Sequence, residues 1–402
     1  MSGQGSLRLL RESNFLRIVD VLRVEGAASR ADIARRTGLS RTTVSTLVAA
    51  LLERGLVVER QGEARVVRNG QIGRPPILLT LDPSAAAAVG IDFDHDKLRV
   101  AVSDLSREIL AETAMPCDVD ADATSAIDLA GRLVDELLEQ SGVVRSRVLG
   151  AGVALAGPVD HDAGTVHRSA VLSGWVGVDA ARALAERLDM AVHLDNDANL
   201  GALAEVTFGA ATDARFAVYL TISSGVGAGL VTDGRVFRGH RGLAGEIGHL
   251  LVDPSGAICR CGNRGCLETV ASAPALLSLI QATRPEVGSI PELIALARDG
   301  DMGCRRVLAD AGRAIGGALA SLVSLLGPDT VVIGGVLGDA GDLLLDPLRE
   351  EVTRYAMPSS TQDLSIVPGA LGDRANLLGA LALVITQSDH AVAARIAEAV
   401  AG

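Results

Sequence analysis

Three cysteines and a histidine stand close enough in this chain to hold a metal. Cys259, Cys261 and Cys266 fall within eight residues, and His249 lies ten residues before the first of them. Three thiolates and one imidazole complete a tetrahedral shell for zinc, and a shell closed by protein ligands alone is structural. The C-x-C spacing lets neighbours grip one ion from a single turn. Gly262 and Gly265 supply the backbone freedom that such a turn needs. Disulfide pairing is the competing reading, but disulfide frameworks belong to small secreted domains. This chain has 402 residues, and its opening MSGQGSLRLLRESNF has no apolar leader core.

Composition narrows the setting. Hydrophobic residues make up 48% and charged residues 21%, the balance of a packed protein rather than a disordered one. The length allows two or three domains. Aromatic residues are only 2%, so the cores must be built from Ala, Val, Leu and Ile, and base stacking on aromatic platforms is not expected. The late apolar stretches 322–337 and 377–386 are interrupted or too short to cross a bilayer. A cytoplasmic protein with reduced thiols and no membrane partner is the expectation.

Charge divides the chain. Residues 1–82 carry 13 arginines against 8 acids, a net +5, while residues 83–402 carry 24 basic against 41 acidic groups, a net −17. A basic head on an acidic body predicts that the head alone meets a polyanion. Within the head, Phe15, Ile18, Val19 and Leu22 repeat at helical spacing and predict a helix over 12–24. Ser29 reads as an N-cap with Asp32 three residues on, and Gly38 closes the short helix that follows. Ser40 caps a third helix. Val44, Leu47, Val48, Leu51 and Leu52 form its apolar stripe, and Arg41, Thr42, Thr43, Ser45 and Thr46 its polar face. This is a helix-turn-helix whose last helix offers those five residues to base edges and phosphates. Strand-like runs at 56–60, 65–67 and 77–81 enclose the loop RNGQIGRPP, which reads as a wing. Arg74, held extended in Gly-Arg-Pro, suits a narrow minor groove.

The body alternates strands and helices. Strands are expected at 89–93, 98–103 and 109–115, a helix at 123–141, a buried strand at 148–154, a helix at 179–188 and a strand at 191–195. A second set follows, with strands at 216–222 and 229–232, the cysteine region, helices over 273–326 and a strand at 331–333. Two α/β halves with sites at their strand ends predict a ligand cleft between lobes.

Four motifs carry a specific resemblance: GPVD at 157–160, NDAN at 196–199, GEIGH at 245–249 and CRCGNRGCLE at 259–268. In this order and spacing, over about residues 89–379, the body resembles the ROK family of repressors, open reading frames and sugar kinases. The winged head is similar to that of the family's repressor branch. The resemblance implies an α/β fold: an N-terminal winged helix-turn-helix domain, 1–82, followed by a two-lobed actin-like, hexokinase-like ROK domain, 83–402. It implies a sugar site in which Asn196 and Asp197 meet hydroxyls and Glu246 and Glu268 grip them. His249 would bind zinc through one ring nitrogen and face the sugar with the other, and Gly157 would make a backbone contact. The partners implied are operator DNA, a sugar effector, and a second copy or three further copies of the chain.

Kinase members of the family carry Asp-x-Gly-Gly-Thr after the first strand. Here the sequence reads Asp92-Phe93-Asp94-His95-Asp96. Glycines there let backbone N–H groups cradle phosphate oxygens, and added carboxylates oppose a triphosphate. The second phosphate loop, Gly-Thr-Gly in kinases, reads Ser223-Ser224-Gly225. Asparagine, which many sugar kinases carry ahead of a Gly-Trp pair, is replaced by Val171 ahead of Gly174-Trp175. The expectation is a non-catalytic, sugar-responsive repressor, with an active sugar kinase bearing a DNA-binding head as the alternative.

Overall fold

The computed structural model describes residues 3–61, 76–161, 163–166 and 172–399. Arg74, the run at 65–67 and Val171 lie outside the described residues.

The head begins with α1 (Gly3–Glu25), longer at its N-terminal end than the apolar spacing predicts. Next come β1 (Ala28–Ser29), α2 (Arg30–Thr37), α3 (Arg41–Glu53), β2 (Val57–Gln61) and β3 (Ile77–Leu81). A capping box starts α2: the Ser29 side chain accepts from the Asp32 backbone, and Asp32 reaches back to the Ser29 backbone. Gly38, at φ 70°, ends α2 in the left-handed conformation that a side chain would resist. Ser40 then caps α3 by accepting from the Thr43 N–H. The strands pair antiparallel in the order β1-β3-β2, so the head has a three-stranded sheet. Phe15, Ile18, Leu22, Ile33, Val44, Leu51 and Leu79 are buried together under it.

The first lobe holds β4 (Ala87–Phe93), β5 (Lys97–Asp104), β6 (Ile109–Pro116), α4 (Ala123–Ser141), β7 (Val148–Leu155), β8 (Val159–Asp160), β9 (Thr165–Val166), α5 (Ala180–Leu188), β10 (Val192–Asn196) and α6 (Asp197–Phe208). Its main sheet runs β10-β7-β4-β5-β6. β4, β7 and β10 are parallel, with Asp92 and Asp195 both opposite Ala154. Their C-terminal ends therefore coincide, which brings 94–96, 156–158 and 196–197 to one edge. One face of the sheet is covered by α4 and α5 over a core that includes Ile91, Phe93, Val100, Leu155 and Trp175.

The second lobe repeats this plan. It holds β11 (Phe216–Ile222), β12 (Val226–Thr232), β13 (Arg235–Val236), α7 (Glu268–Ala271), α8 (Ala273–Gln281), α9 (Ile290–Arg298), α10 (Met302–Leu326), β14 (Thr330–Gly334), α11 (Asp342–Tyr355), α12 (Pro358–Thr361), β15 (Ser365–Pro368) and α13 (Ala375–Ala399). The sheet order is β13-β12-β11-β14-β15. Helix α10 has the length and apolarity of a membrane span, but its Leu308, Ile315, Leu319 and Val323 are buried in the lobe core.

Helices α6 and α13 lie between the two sheets and pack on each other. α13 rests on β4 and β7, α6 on β11 and β12, and α1 of the head contacts α13. This layer is thin because glycines line it. A Cβ on Gly152 would sit 1.9 Å from the Ala380 carbonyl oxygen, and one on Gly379 would sit 1.9 Å from that of Leu200. The close approach lets one helix pair touch both sheets and the head.

Candidate functional site

The two sheet edges face each other across a cavity of about 700 Å³, within the range of small-molecule sites. All six residues assigned to the sugar site line it: Gly157, Asn196, Asp197, Glu246, His249 and Glu268.

Asn196 is the N-cap of α6. Its side-chain oxygen accepts from the N–H groups of Ala198 and Asn199, and its Nδ2 donates to the Gly157 carbonyl at 2.8 Å. It therefore ties the GPVD loop to the helix start, leaving one amide N–H for a ligand. Asp197 follows in the first turn and accepts from the Ala198 N–H at 2.8 Å. Burial pushes its carboxyl up to about 6, against the Ala198 hydrogen bond, which favours the charged form. Asp195, buried beside it, accepts from Asn196 N and Asn199 Nδ2 and pairs with Arg238 at 2.7 Å. Arg238 follows β13 of the second lobe, so this ion pair bridges the lobes. A second bridge joins Arg241 to Asp160 at 3.1 Å.

The loop after β4 behaves differently from its acidic composition. His95 lines the cavity, with Nδ1 2.8 Å from Asp120 Oδ1, which fixes the ring. Asp92 is buried and bonds Arg99 at 3.1 Å. Its other oxygen meets no donor among the described residues. Burial, then the charge of Asp94, outweighs Arg99 and pushes the Asp92 carboxyl up to about 7. Arg99 in turn reaches Asp373, just before α13.

The four expected metal ligands converge. The donor atoms of His249, Cys259, Cys261 and Cys266 all lie within 4.8 Å of one another. Cys259 Sγ is 3.6 Å from His249 Nδ1, and Cys261 Sγ is 3.7 Å from Cys266 Sγ. A tetrahedral zinc site with Zn–S near 2.3 Å has S···S edges of about 3.8 Å and slightly shorter S···N edges. These two spacings fit that shell. With Nδ1 facing the thiols, Nε2 of His249 lies 3.7 Å from Glu246 in the cavity. One ring thus faces both the cysteine cluster and the cavity. At Glu268, burial opposes the charged carboxylate, but hydrogen bonding and charge from Arg260 outweigh it and hold its pKa below the ordinary range. Arg260 and His95 are cavity residues that motif reading missed. Arg260 sits inside a cysteine motif whose spacing draws attention to its thiols, and His95 is paired by an aspartate 25 residues away.

In the head, Arg41, Thr42, Ser45 and Thr46 are exposed on α3. Thr43 is half-buried and shares a 2.8 Å hydrogen bond with Ser40 in the cap. Thr46 returns its hydroxyl to the Thr42 carbonyl.

A winged helix-turn-helix joined to a two-lobed body with a polar cleft has the layout of a transcriptional regulator with a small-molecule pocket. Residues 88–387 match the ROK family model and residues 16–65 the MarR family model. The chain is 30% identical to the xylose repressor of Caldicellulosiruptor bescii, over 95% of this chain and 98% of that one. It is 34% identical to the glucokinase of Thermotoga maritima, over 74% of this chain and 96% of that one. The structure of a ROK family transcriptional regulator, a homologue of the Escherichia coli MLC protein, superposes with a TM-score of 0.81 at 26% identity, covering 97% of this chain and 99% of that one. The chain belongs to the ROK family, and its head places it with the family's transcriptional regulators.

Proposed function

We propose that the protein is a repressor of carbohydrate-utilisation genes whose DNA binding is controlled by a sugar or sugar derivative held between its lobes. The observation that carries this reading is the contrast between the two halves of the cleft. Asn196, Asp197, Glu246 and His249 meet at one cavity and supply the mixed donors and acceptors that a polyol needs. On the phosphate side, Asp92 is locked to Arg99 and a paired His95 occupies the wall in place of a glycine cradle. The similarity to a xylose repressor runs through both head and body, which supports the same reading.

Each part then has a role. Arg41, Thr42, Ser45 and Thr46 of α3 meet the major groove, with Thr43 holding the cap and Arg74 entering the minor groove. Zinc, when bound, supplies a fixed cross-link between the GEIGH turn and the loop 259–266. Those residues hold the His249 ring in place, with Nε2 toward the ligand. The bridges Arg238–Asp195 and Arg241–Asp160 set the resting angle between the lobes. Ligand contacts from both lobes shift that angle, and α13, which touches both α6 and α1, passes the shift to the head. In a homodimer or homotetramer the change alters the spacing of paired heads over two half-sites.

A second reading, an active sugar kinase with a DNA-binding head, is favoured by the glucokinase similarity and by Asp197, whose raised pKa suits a general base. The two separate in one experiment. The full chain is incubated with MgATP and a panel of hexoses and pentoses, and both sugar phosphorylation and thermal shift are followed. The repressor reading expects stabilisation by at least one sugar without phosphate transfer above background. Turnover of any sugar would contradict it.

A further inference from the structure

Glu268 does not stand open in the cleft. Its carboxylate oxygens accept from Nε and Nη2 of Arg260, each at 2.7 Å, and Oε2 also accepts from the Val226 N–H at 3.3 Å. A carboxylate has about four lone-pair sites, so three such bonds leave little for a sugar hydroxyl. The bidentate form is among the strongest of side-chain pairings. Arg260 keeps spare donors. Nε and Nη2 serve Glu268, and Nη2 makes a long 3.5 Å contact to the Ser224 carbonyl, while Nη1 carries two more N–H bonds. The pair lies over the turn Ser223-Ser224-Gly225. A Cβ on Gly225 would come within 2.5 Å of Arg260 Nη2 and 2.7 Å of Glu268 Oε2. Glycine at 225 is thus what leaves room for the pair. Arg260, Glu268 and this turn all line the cavity.

We propose that Arg260 is a specificity-determining residue of the effector site. It removes Glu268 from the groups that recognise hydroxyls and makes this corner select a ligand oxygen that only accepts hydrogen bonds, as in the carboxylate of a sugar acid or the phosphate of a sugar phosphate. The inference rests on the sugar-site reading above and sharpens it. A hydroxyl placed at Arg260 could accept one N–H, but its own proton would face a carboxylate with three of about four acceptor sites already used, and an unpaired buried donor is costly. A carboxylate or phosphate oxygen carries no such proton and gains a charge-assisted bond. Asp197 and Glu246 keep the rest of the cavity acidic, so an anionic group is accepted only where Arg260 stands.

The test uses the zinc-loaded full chain, Arg260→Ala and Arg260→Lys, titrated calorimetrically with glucose, xylose, glucuronate and glucose 6-phosphate. Zinc content is measured on every sample. The wild type should prefer an anionic probe. Arg260→Ala should lose that preference by about tenfold or more while neutral sugars bind no worse, because Glu268 is released to meet them. Arg260→Lys should retain part of the preference. Should Arg260→Ala fail to fold or to hold zinc, Glu268→Gln reads the same contact from the other side: anionic probes should tighten and neutral sugars stay level. Equal weakening of all probes in the arginine variants, or a selective loss of neutral sugars in Glu268→Gln, would overturn the proposal and leave the sugar site standing. Binding of no probe by any chain would overturn the sugar-site reading, and this one with it.

Discussion

At the residue scale, His249 joins two chemistries. Its Nδ1 lies against the cysteine cluster and its Nε2 faces Glu246 in the cavity. Removing one thiolate should therefore disturb more than the metal. Cys261 is the exposed ligand, so replacing it disturbs packing least. Cys261→Ser is expected to lower the zinc content of the purified chain, to lower its melting temperature, and to weaken sugar binding, with DNA affinity in the absence of ligand much less affected. Full zinc occupancy with unchanged sugar affinity would show that the cluster does not position the cleft. Residue types made this cluster readable: three cysteines and a histidine at short spacing have few other uses. The motif pointed to Asn196 and Asp197, and both line the cavity, but it did not show the capping role of Asn196, which depends on where α6 starts. The Arg260–Glu268 pair was legible only as two members of a motif. The bidentate contact between them forms where the loop 258–264 closes on itself through the Ile258–Arg264 bridge, a geometry that spacing alone does not specify.

At the element scale, local signals were read well and layer packing was not. Ser29, Asp32, Gly38 and Ser40 marked the helix-turn-helix boundaries, because caps and left-handed glycines act within one turn. Helix α4 was found over its full span from its amphipathic pattern. By contrast α11, β15 and the length of α13 left weaker marks: α11 contains a proline, β15 is four residues long, and α13 is apolar on more than one side. The reason for that last pattern is its position between a sheet, α6 and α1. Gly379 tests this packing. Alanine in a helix interior ordinarily gains about 1 kcal/mol over glycine. Here the new Cβ would meet the Leu200 carbonyl oxygen at 1.9 Å, a backbone atom that no rotamer change can move aside. Overpacking of this kind costs roughly 1–3 kcal/mol, so Gly379→Ala should lower the midpoint of chemical unfolding despite its better helix propensity. An unchanged or raised midpoint would mean that the α6–α13 contact is looser than described.

At the scale of the whole molecule, the charge division between head and body was visible in the sequence, as was the repetition of an α/β plan. What the sequence did not carry is the connection. The inter-lobe bridges pair residues 43 and 81 positions apart, Asp195 with Arg238 and Asp160 with Arg241. Arg23 of α1 also donates to the Leu105 carbonyl at 3.2 Å, a direct link from head to body. Long-range pairs of this sort leave no periodicity to read. In the proposed regulation they are the route from the cleft, through α13, α1 and α2, to α3. The most direct measurement is the affinity of the full chain for a duplex selected from random DNA, followed by fluorescence anisotropy at fixed salt, with and without each sugar that stabilises the protein. A duplex with two half-sites is expected, bound at least tenfold more weakly in the presence of a binding sugar. A sugar that binds and leaves the affinity for DNA unchanged would contradict the proposed regulation.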